Sequence, residues 1–574
     1  MTAPSSQDLR QRVVGAVEKG HSVRQAAARY EVSPRGAVKL MWPVIRNVRK
    51  SFLAPVAVAA APIWLYFQLF REALIDDTFI TLQYVRTLRD HGIWGFYPWE
   101  VTNTATSPLN VLLTAAISLG VQDLVQAALA LATLEALALL AVLLLLSQHI
   151  TRGCAFGAFS FLAVVRNPLL LSTIGLEPLL YTTLLVACVY AFLIQHYTSL
   201  AVLLALLTLT RPDGVLLFPL VVIAILLRHR ASEASVAGEP REGTTDRWRA
   251  PLRLVAWLCL VYALCLVPWY IFSWIYLGSV VPSTFGIKLR QGTWDGFSFS
   301  NGALLYGLRY PWETLFALLL TPFACLCLKI RNRRAALAAA LLAAFGTTYF
   351  AAYAALGVPP YHWYFVPVVI PYVILGVLGL LTAAEQINHA QHSLIRGIAV
   401  ILSPAVVLSG LIYLLLGRGD PLMQPPIHTN YATHQQYREI GLWLRNHVEP
   451  DANVRVDGEI GTIAFYAERR LADAFSCRLA NHRIMEEAKN MTGLQGVIVR
   501  ANFYWLRDDT ACVPAKYELH MYSRAVLPMN VLSQAMKSWE INSNWVSSGS
   551  VVLMRSEMSG ANGSEPVPWQ KPSP

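Results

Sequence analysis

Charge is scarce in this chain: 14% of its 574 residues are Asp, Glu, Lys or Arg, 55% are hydrophobic, and the mean hydropathy is +0.44. So little charge excludes an ordinary soluble domain and puts most of the chain in a membrane. Cysteine is sparse too. Six of the eight (Cys154, Cys188, Cys259, Cys265, Cys325 and Cys327) fall in apolar segments, where a small buried hydrophobe is the default reading. That leaves Cys477 and Cys512 as the one pair open to a disulfide, should their compartment be oxidising. No apolar run precedes residue 51, so no cleavable signal peptide is evident. No His or carboxylate pair has diagnostic metal-ligand spacing. The formal charge of +11 reads as loop charge that sets topology rather than as a nucleic-acid surface.

What the chain does have is apolar runs of bilayer length, about 20 residues each. They fall at 51–70, 124–146, 154–172, 252–275, 314–328, 335–356, 365–383 and 397–416. Two more stretches, 179–194 and 199–227, meet the charged break "TRPDG" (210–214), which reads as a hairpin tip between two spans. The expectation is an α-helical polytopic protein of about eleven spans occupying residues 50–416. With Met1 on the cytoplasmic side, most Lys and Arg flanking the spans fall in inside connections such as "KIRNRR" (329–334), as the positive-inside rule requires. Residues 71–123 then form the first outer loop, and everything after 417 is outside. "PLNVLLTAAISLG" (108–120) is too short to span and reads as a helix lying in the interface.

The two ends are not membrane sequence. Residues 1–45 are basic and contain "SQDLRQRVVGAVEKGHSVRQAAARYEVSPRGAVKLM", with Ser22 and Ser33 placed as helix caps. Over residues 7–40 this resembles the helix-turn-helix of insertion-sequence transposases, but no nuclease domain follows, and a fusion scar or upstream start is the preferred reading over retained DNA binding. Residues 417–556 alternate helical and strand patterns: "THQQYREIGLWLRNHV" (433–448) and "EIGTIAFYA" (459–467) as helices, and "NVRVDG" (453–458), "RLADAFS" (470–476) and "QGVIVRANFYW" (495–505) as strands. An α/β domain follows from that alternation. Residues 557–574, rich in Gly, Ser and Pro, read as a disordered tail.

Polar residues beside the apolar runs are the expensive ones, and by the expected topology they gather at one membrane face: Asp76, Asp77, Arg166, Glu177, Arg211, Asp213, Lys288, Arg290 and His362. A carboxylate there can take a proton from a hydroxyl nucleophile, and a cation can stabilise a departing phosphate. A lipid phosphate with its tail in the bilayer would sit at this depth. That chemistry is sugar transfer from a polyprenyl-phosphate carrier to an acceptor outside the membrane. A polytopic transporter or flippase of a lipid-linked or polar envelope substrate is the alternative, but the polar groups gather at one face and no inverted repeat of broken helices is visible. A membrane-tethered DNA-binding regulator is a third reading.

Five blocks, "IDDTFITLQYVRTLRDHGIWGFYPWEVTNTATSPLN" (75–110), "TIGLEPLLYTTLLVAC" (173–188), "LTRPDGVLLFPL" (209–220), "PWYIFSWIYLGSVVPSTFGIKL" (268–289) and "WLRNHVEPDANVRVDGEIGTIAFY" (443–466), resemble successive blocks of C-type (GT-C) glycosyltransferases, in particular the group of the mycobacterial terminal arabinofuranosyltransferase. The resemblance implies a bacterial inner-membrane enzyme that transfers a sugar, a pentofuranose among the candidates, from a polyprenyl-phosphate donor to an envelope glycan, lipid or protein on the periplasmic side, with inversion. It places the family's acidic motif on Asp76 and Asp77. Asp76 is expected to be the general base, and Asp77 to orient it, hold the acceptor or bind a divalent cation (Mg, Mn or Ca). Glu177, Arg211 and Asp213 are expected to shape the sugar and phosphate pocket, with Lys288 and Arg290 as phosphate ligands. His362 and Arg166 complete the substrate-binding set. "NTATSPLN" (103–110) departs from the family's pattern, lacking a Trp after Leu109.

Overall fold

The computed structural model describes residues 54–388 apart from 152 and 235–248, and residues 422–556 apart from 474–475, 477–484, 488–489, 507–513, 524–526, 528–530 and 532; before residue 54 it describes only 9, 12–13 and 27–33. Most of the helix-turn-helix-like segment, the apolar run 397–416, both Cys477 and Cys512, and the tail 557–574 lie outside the described residues. The chain divides into two compact units, Met1–Pro62 and Ile63–Pro574, and the second holds every element of the site.

Among the described residues six helices are long and apolar enough to cross a membrane: Leu124–Ile150, Pro212–Arg230, Arg249–Leu277, Pro311–Lys329, Arg333–Leu356 and His362–Ala384. Ala54–Leu69, Ala155–Val165, Pro178–Leu193 and Tyr197–Thr210 are apolar but shorter. The expected run 154–172 breaks for a local reason. Arg166 ends one helix, and Asn167 accepts the N–H of Leu169 at 3.1 Å to cap a new turn opened by Pro168, whose ring has no N–H to continue the old one. "TRPDG" breaks in the same way: Arg211 is extended, Pro212 opens a 3₁₀ turn, and Gly214 lies so close to the preceding helix that a Cβ would meet Leu207 O at 2.6 Å.

Among the shorter helices, Asp76–His91 and Ser283–Gln291 line the site. α1 (Asp76–His91) ends at Gly92, whose positive φ of 69° suits a residue without a Cβ. α2 (Pro108–Ser118) has 11 residues, in keeping with an interfacial helix rather than a span. α3 (Ser283–Gln291) follows the helix Arg249–Phe272, which gives way to a π turn and stops at Gly278 (φ 82°). α4 (His434–His447) starts with a capping box between Thr433 and Gln436, and α5 (Gly461–Ala467) and α6 (Gly493–Asn502) complete the set.

The same region holds a five-stranded sheet of order β2-β1-β3-β5-β4, formed by β1 (Asn453–Val456), β2 (Arg470–Ala472), β3 (Tyr517–Tyr522), β4 (Lys537–Ile541) and β5 (Gly549–Arg555), and α4 meets it through Trp443 against Trp539. β1 runs parallel to β2 and β3, with Val454 opposite Leu471 and Tyr517, while β3, β5 and β4 are antiparallel. The chain leaving β1 brings Gly458, Glu459 and Ile460 to the first turn of α1.

Two strand expectations need correction. Residues 495–505 are not a strand: 493–502 is α6, although "GVIV" has strong strand propensity. Its carbonyl at Ala501 and side chain at Asn502 dock on residues 274–281, and that docking overrides local preference. The strand expected at 470–476 stops at Ala472, because Asp473 and Ser476 bond to each other and turn the chain.

Candidate active site

The first turn of α1 presents Asp76 and Asp77 to a cavity of about 160 Å³. Its walls come from α1, the loop 96–106, Leu176–Glu177, α3, the segment 361–363, and the C-terminal region at 429–430, 458–460, 473 and 476. Asp76 is buried, Asp77 half-buried. The N–H groups of Gly461 and Thr462 donate to the two carboxylate oxygens of Asp76 at 2.9 and 2.7 Å, and Asp76's own N–H donates to Asn430 Oδ1 at 3.3 Å. Asp76 thus sits between the starts of α1 and α5, where both helix dipoles favour an anion.

Two opposing influences act on its proton. Burial and the neighbouring carboxylates Glu459 and Asp77 raise its pKa, the two backbone N–H donors lower it, and the net effect is a carboxyl pushed up to about 7. Glu459 is itself held in place: its Oε2 accepts the N–H of Tyr431 at 2.9 Å and the hydroxyl of Tyr437.

Opposite these acids stands Lys288 on α3. Its Nζ lies over the rings of Tyr361, Trp363 and Tyr364 at 4.6, 5.4 and 5.5 Å, and among the described residues no carboxylate lies within ion-pairing distance of it. Tyr361 and Trp363 stack at 4.6 Å, and the Tyr361 hydroxyl donates to Gln291 Oε1 at 2.9 Å, tying this aromatic wall to α3. The result is a cation fixed on a polarizable surface, facing a cavity otherwise lined by Asp76, Asp77, Glu100, Glu177, Glu459 and Asp473.

The loop between α1 and α2 is pinned by Asn103. Its Nδ2 donates to Ser273 Oγ and Ser279 Oγ at 2.9 Å each, and its carbonyl accepts the N–H of Ser283 at 2.7 Å, at the start of α3. Thr102, Thr104 and Thr106 on either side face the cavity.

Of the residues singled out in the sequence, Asp76, Asp77, Glu177 and Lys288 line this cavity. Arg211 and Asp213 lie behind Glu177. Arg211 Nη1 donates to Glu177 Oε1 at 2.8 Å, its Nε and Nη2 to Asp213 Oδ2 at 3.0 and 2.9 Å, and Nη2 also to the Tyr353 hydroxyl at 3.0 Å. Tyr349 and Tyr353 donate in turn to Asp213. This buried cluster neutralises Arg211 internally, so it shapes the wall rather than offering a charge to the cavity.

His362 and Arg166 are not brought to the cavity. His362 is fully buried with Nε2 3.3 Å from Ser172 O, while its neighbours Tyr361 and Trp363 face the cavity instead. Arg166 sits at the break after Ala155–Val165. Arg290 belongs to α3, and its side chain lies outside the described residues. Glu100, Glu459, Asp473, Tyr361 and Trp363 also line the cavity, without being among the residues singled out in the sequence. "PPYHWY" and "GEIG" were the signals within reach, but nothing local distinguishes Trp363 from an ordinary interfacial aromatic.

A divalent cation at Asp76 and Asp77 would have only the lone pairs that the two backbone N–H donors leave on Asp76. Among the described residues no group of three or more His, Cys, Asp or Glu is arranged to hold a metal. The donor set does not fit a metal site formed by the protein alone.

The fold is similar to that of ArnT. The structure of ArnT from Cupriavidus metallidurans bound to undecaprenyl phosphate aligns over 90% of this chain and 99% of its own, with a TM-score of 0.53 at 16% identity. Its apo structure aligns over 90% and 100%, with a TM-score of 0.52 at 16% identity. The archaeal oligosaccharyltransferase AglB from Archaeoglobus fulgidus, in complex with an inhibitory peptide and a dolichol-phosphate, aligns over 82% of this chain and 69% of its own, with a TM-score of 0.47 at 12% identity. No family model and no curated protein match the sequence. The likeness to ArnT establishes a helical polytopic membrane fold; this chain has six long apolar helices among the described residues and a small C-terminal sheet.

Proposed function

We propose that this chain is a membrane glycosyltransferase that moves a sugar from a polyprenyl-phosphate donor to an envelope acceptor on the periplasmic side of a bacterial inner membrane. The observation that carries the reading is the cavity itself, where a buried carboxylate with a pKa near neutrality and a separate carboxylate face a lysine set on aromatic rings. The fold shared with ArnT, a protein crystallised with undecaprenyl phosphate, supports the same reading. Residues 50–416 serve as the membrane domain and 417–556 as a periplasmic α/β domain that closes the cavity. The GT-C family remains the best description, with its arabinofuranosyltransferase group and a pentofuranose donor as the narrower proposal.

In this mechanism the acceptor hydroxyl oxygen attacks the anomeric carbon of the donor. Asp76, whose two oxygens each keep a lone pair beyond the backbone N–H bonds, takes the hydroxyl proton. The bond from anomeric carbon to phosphate oxygen breaks with its electron pair staying on the phosphate, which Lys288 meets, assisted by Arg290. Attack opposite the leaving group inverts the anomeric centre. Asp77 holds the acceptor or the sugar, and Glu177, fixed by Arg211 and Asp213, shapes the sugar pocket.

The test is mass spectrometry of envelope glycans and polyprenyl-phosphate sugars in a deletion strain, complemented with the wild type or with Asp76→Asn. Loss of one glycan substituent and accumulation of its lipid-linked donor, restored by the wild type alone, is the expected result. An unchanged glycan profile with no accumulated donor overturns it.

A further inference from the structure

α6 carries its apolar side chains on the wrong side for a soluble domain. Val497, Ile498 and Ala501 share one helical side, and Tyr504 and Trp505 continue it in the turn that follows. Val497 is 54% exposed, Ile498 59%, Tyr504 69% and Trp505 46%, while the opposite side is closed by Gly496, where a Cβ would meet Met491 O at 2.3 Å, and by buried Phe503. In water such an outward apolar face is unfavourable by roughly 25 cal/mol for each Å² left exposed.

Its position supplies the partner. α6 docks on the end of the bilayer-length helix Arg249–Leu277: Trp274 Nε1 donates to Ala501 O at 2.8 Å, and Asn502 Oδ1 accepts the N–H groups of Val280 and Val281 at 2.9 and 3.1 Å. Trp274 also meets Trp505 edge to face at 6.4 Å. Only 11% of the apolar window of Arg249–Leu277 is buried in protein, so this helix faces lipid, and Ile275 and Tyr276 at its end are exposed next to Trp274. The apolar face of α6 therefore continues a lipid-facing surface at the depth where Trp and Tyr are preferred.

We infer that α6, with Tyr504 and Trp505, is an interfacial membrane anchor of the C-terminal α/β region, its apolar face inserted among the headgroups and upper acyl chains of the leaflet on the cavity side. The anchor sets the height of the cavity above the bilayer, because the segment it grips, residues 279–281, also holds Asn103 and leads into α3 with Lys288. This holds whatever reaction the cavity performs.

The test uses the full chain in phosphatidylethanolamine–phosphatidylglycerol nanodiscs, with p-benzoylphenylalanine in place of Ile498, Trp505 or Asp451. Asp451 is exposed just before β1, at the end remote from the cavity. After irradiation, intact-mass spectrometry is expected to show a one-phospholipid adduct at positions 498 and 505 and none at 451. Absence of lipid adducts at both 498 and 505, cross-links from them to this chain or to a second copy, or an equal adduct at 451 each overturn the anchor. Two independent positions guard against one variant failing to fold, which size-exclusion chromatography reports.

Discussion

The carboxylate of Asp76 accepts the backbone N–H of Gly461 at 2.9 Å, across 385 positions of sequence. The contact closes the cavity by bringing the C-terminal region onto the first turn of α1. Gly461 permits it only because it lacks a side chain: a Cβ there would lie 2.2 Å from the Asp76 backbone oxygen and 2.9 Å from Ile80.

Gly461→Ala is therefore expected to force α5 away from α1 and to lower sugar transfer by at least about tenfold, equivalent to ~1.4 kcal/mol. Hydrogen exchange checks the cause: amides of residues 461–467 should exchange faster in the variant, while β3 and β5 keep their protection. Wild-type transfer by Gly461→Ala would show that the contact is dispensable.

The pH dependence follows from Asp76. A general base works ionised, so transfer should fall as pH drops below about 7, the value to which burial and the carboxylates of Glu459 and Asp77 push this group. Glu459→Gln removes one like charge but keeps an acceptor for Tyr431 and Tyr437, so the limb should move to lower pH. A limb that stays in place in the variant would argue against Asp76 as its source. Stability runs the other way. A carboxyl with a folded pKa above its unfolded value of about 3.9 stabilises the fold fully below that pH, and the contribution is lost as pH rises through 7.

Arg211 separates scaffold from chemistry. Arg211→Met leaves Glu177 and Asp213 buried without their counter-charge and should cost about 3–5 kcal/mol of stability. Thermal unfolding in detergent measures it. Lys288→Met should leave that unfolding midpoint unchanged yet weaken binding of a polyprenyl phosphate roughly tenfold or more, the loss of one charge-assisted contact of about 1.5–3 kcal/mol. Equal thermal losses in the two variants would contradict this division of roles.

Asp77→Asn keeps the shape of the cavity wall and Asp76 in place. If Asp77 holds the acceptor or sugar, the expected effect is a rise in the apparent KM for that substrate, with the acid limb of Asp76 still present but moved to lower pH because one like charge is gone. Loss of the limb in this variant would move the base from Asp76 to Asp77.

The sequence by itself determined that the chain is membranous and placed apolar runs on the six long helices of the described residues, though it led to an expectation of about eleven spans; it also made Asp76, Asp77, Glu177 and Lys288 conspicuous along with Arg166, Arg211, Asp213, Arg290 and His362, because a charge beside a hydrocarbon-length run is costly without any structure. It also marked 108–120 as too short to span, and α2 has 11 residues. Tertiary structure decided the rest. His362 turns into the protein toward Ser172 while Trp363 and Tyr361 turn to the cavity, a difference between adjacent residues set by packing rather than composition. Glu459 and Gly461 matter only because β1 delivers them to α1 from hundreds of residues away, and "GVIV" becomes helical because its docking against residues 274–281 outweighs local strand propensity. Periodicity and propensity act over a few residues; the contacts that made these residues consequential act over the whole chain.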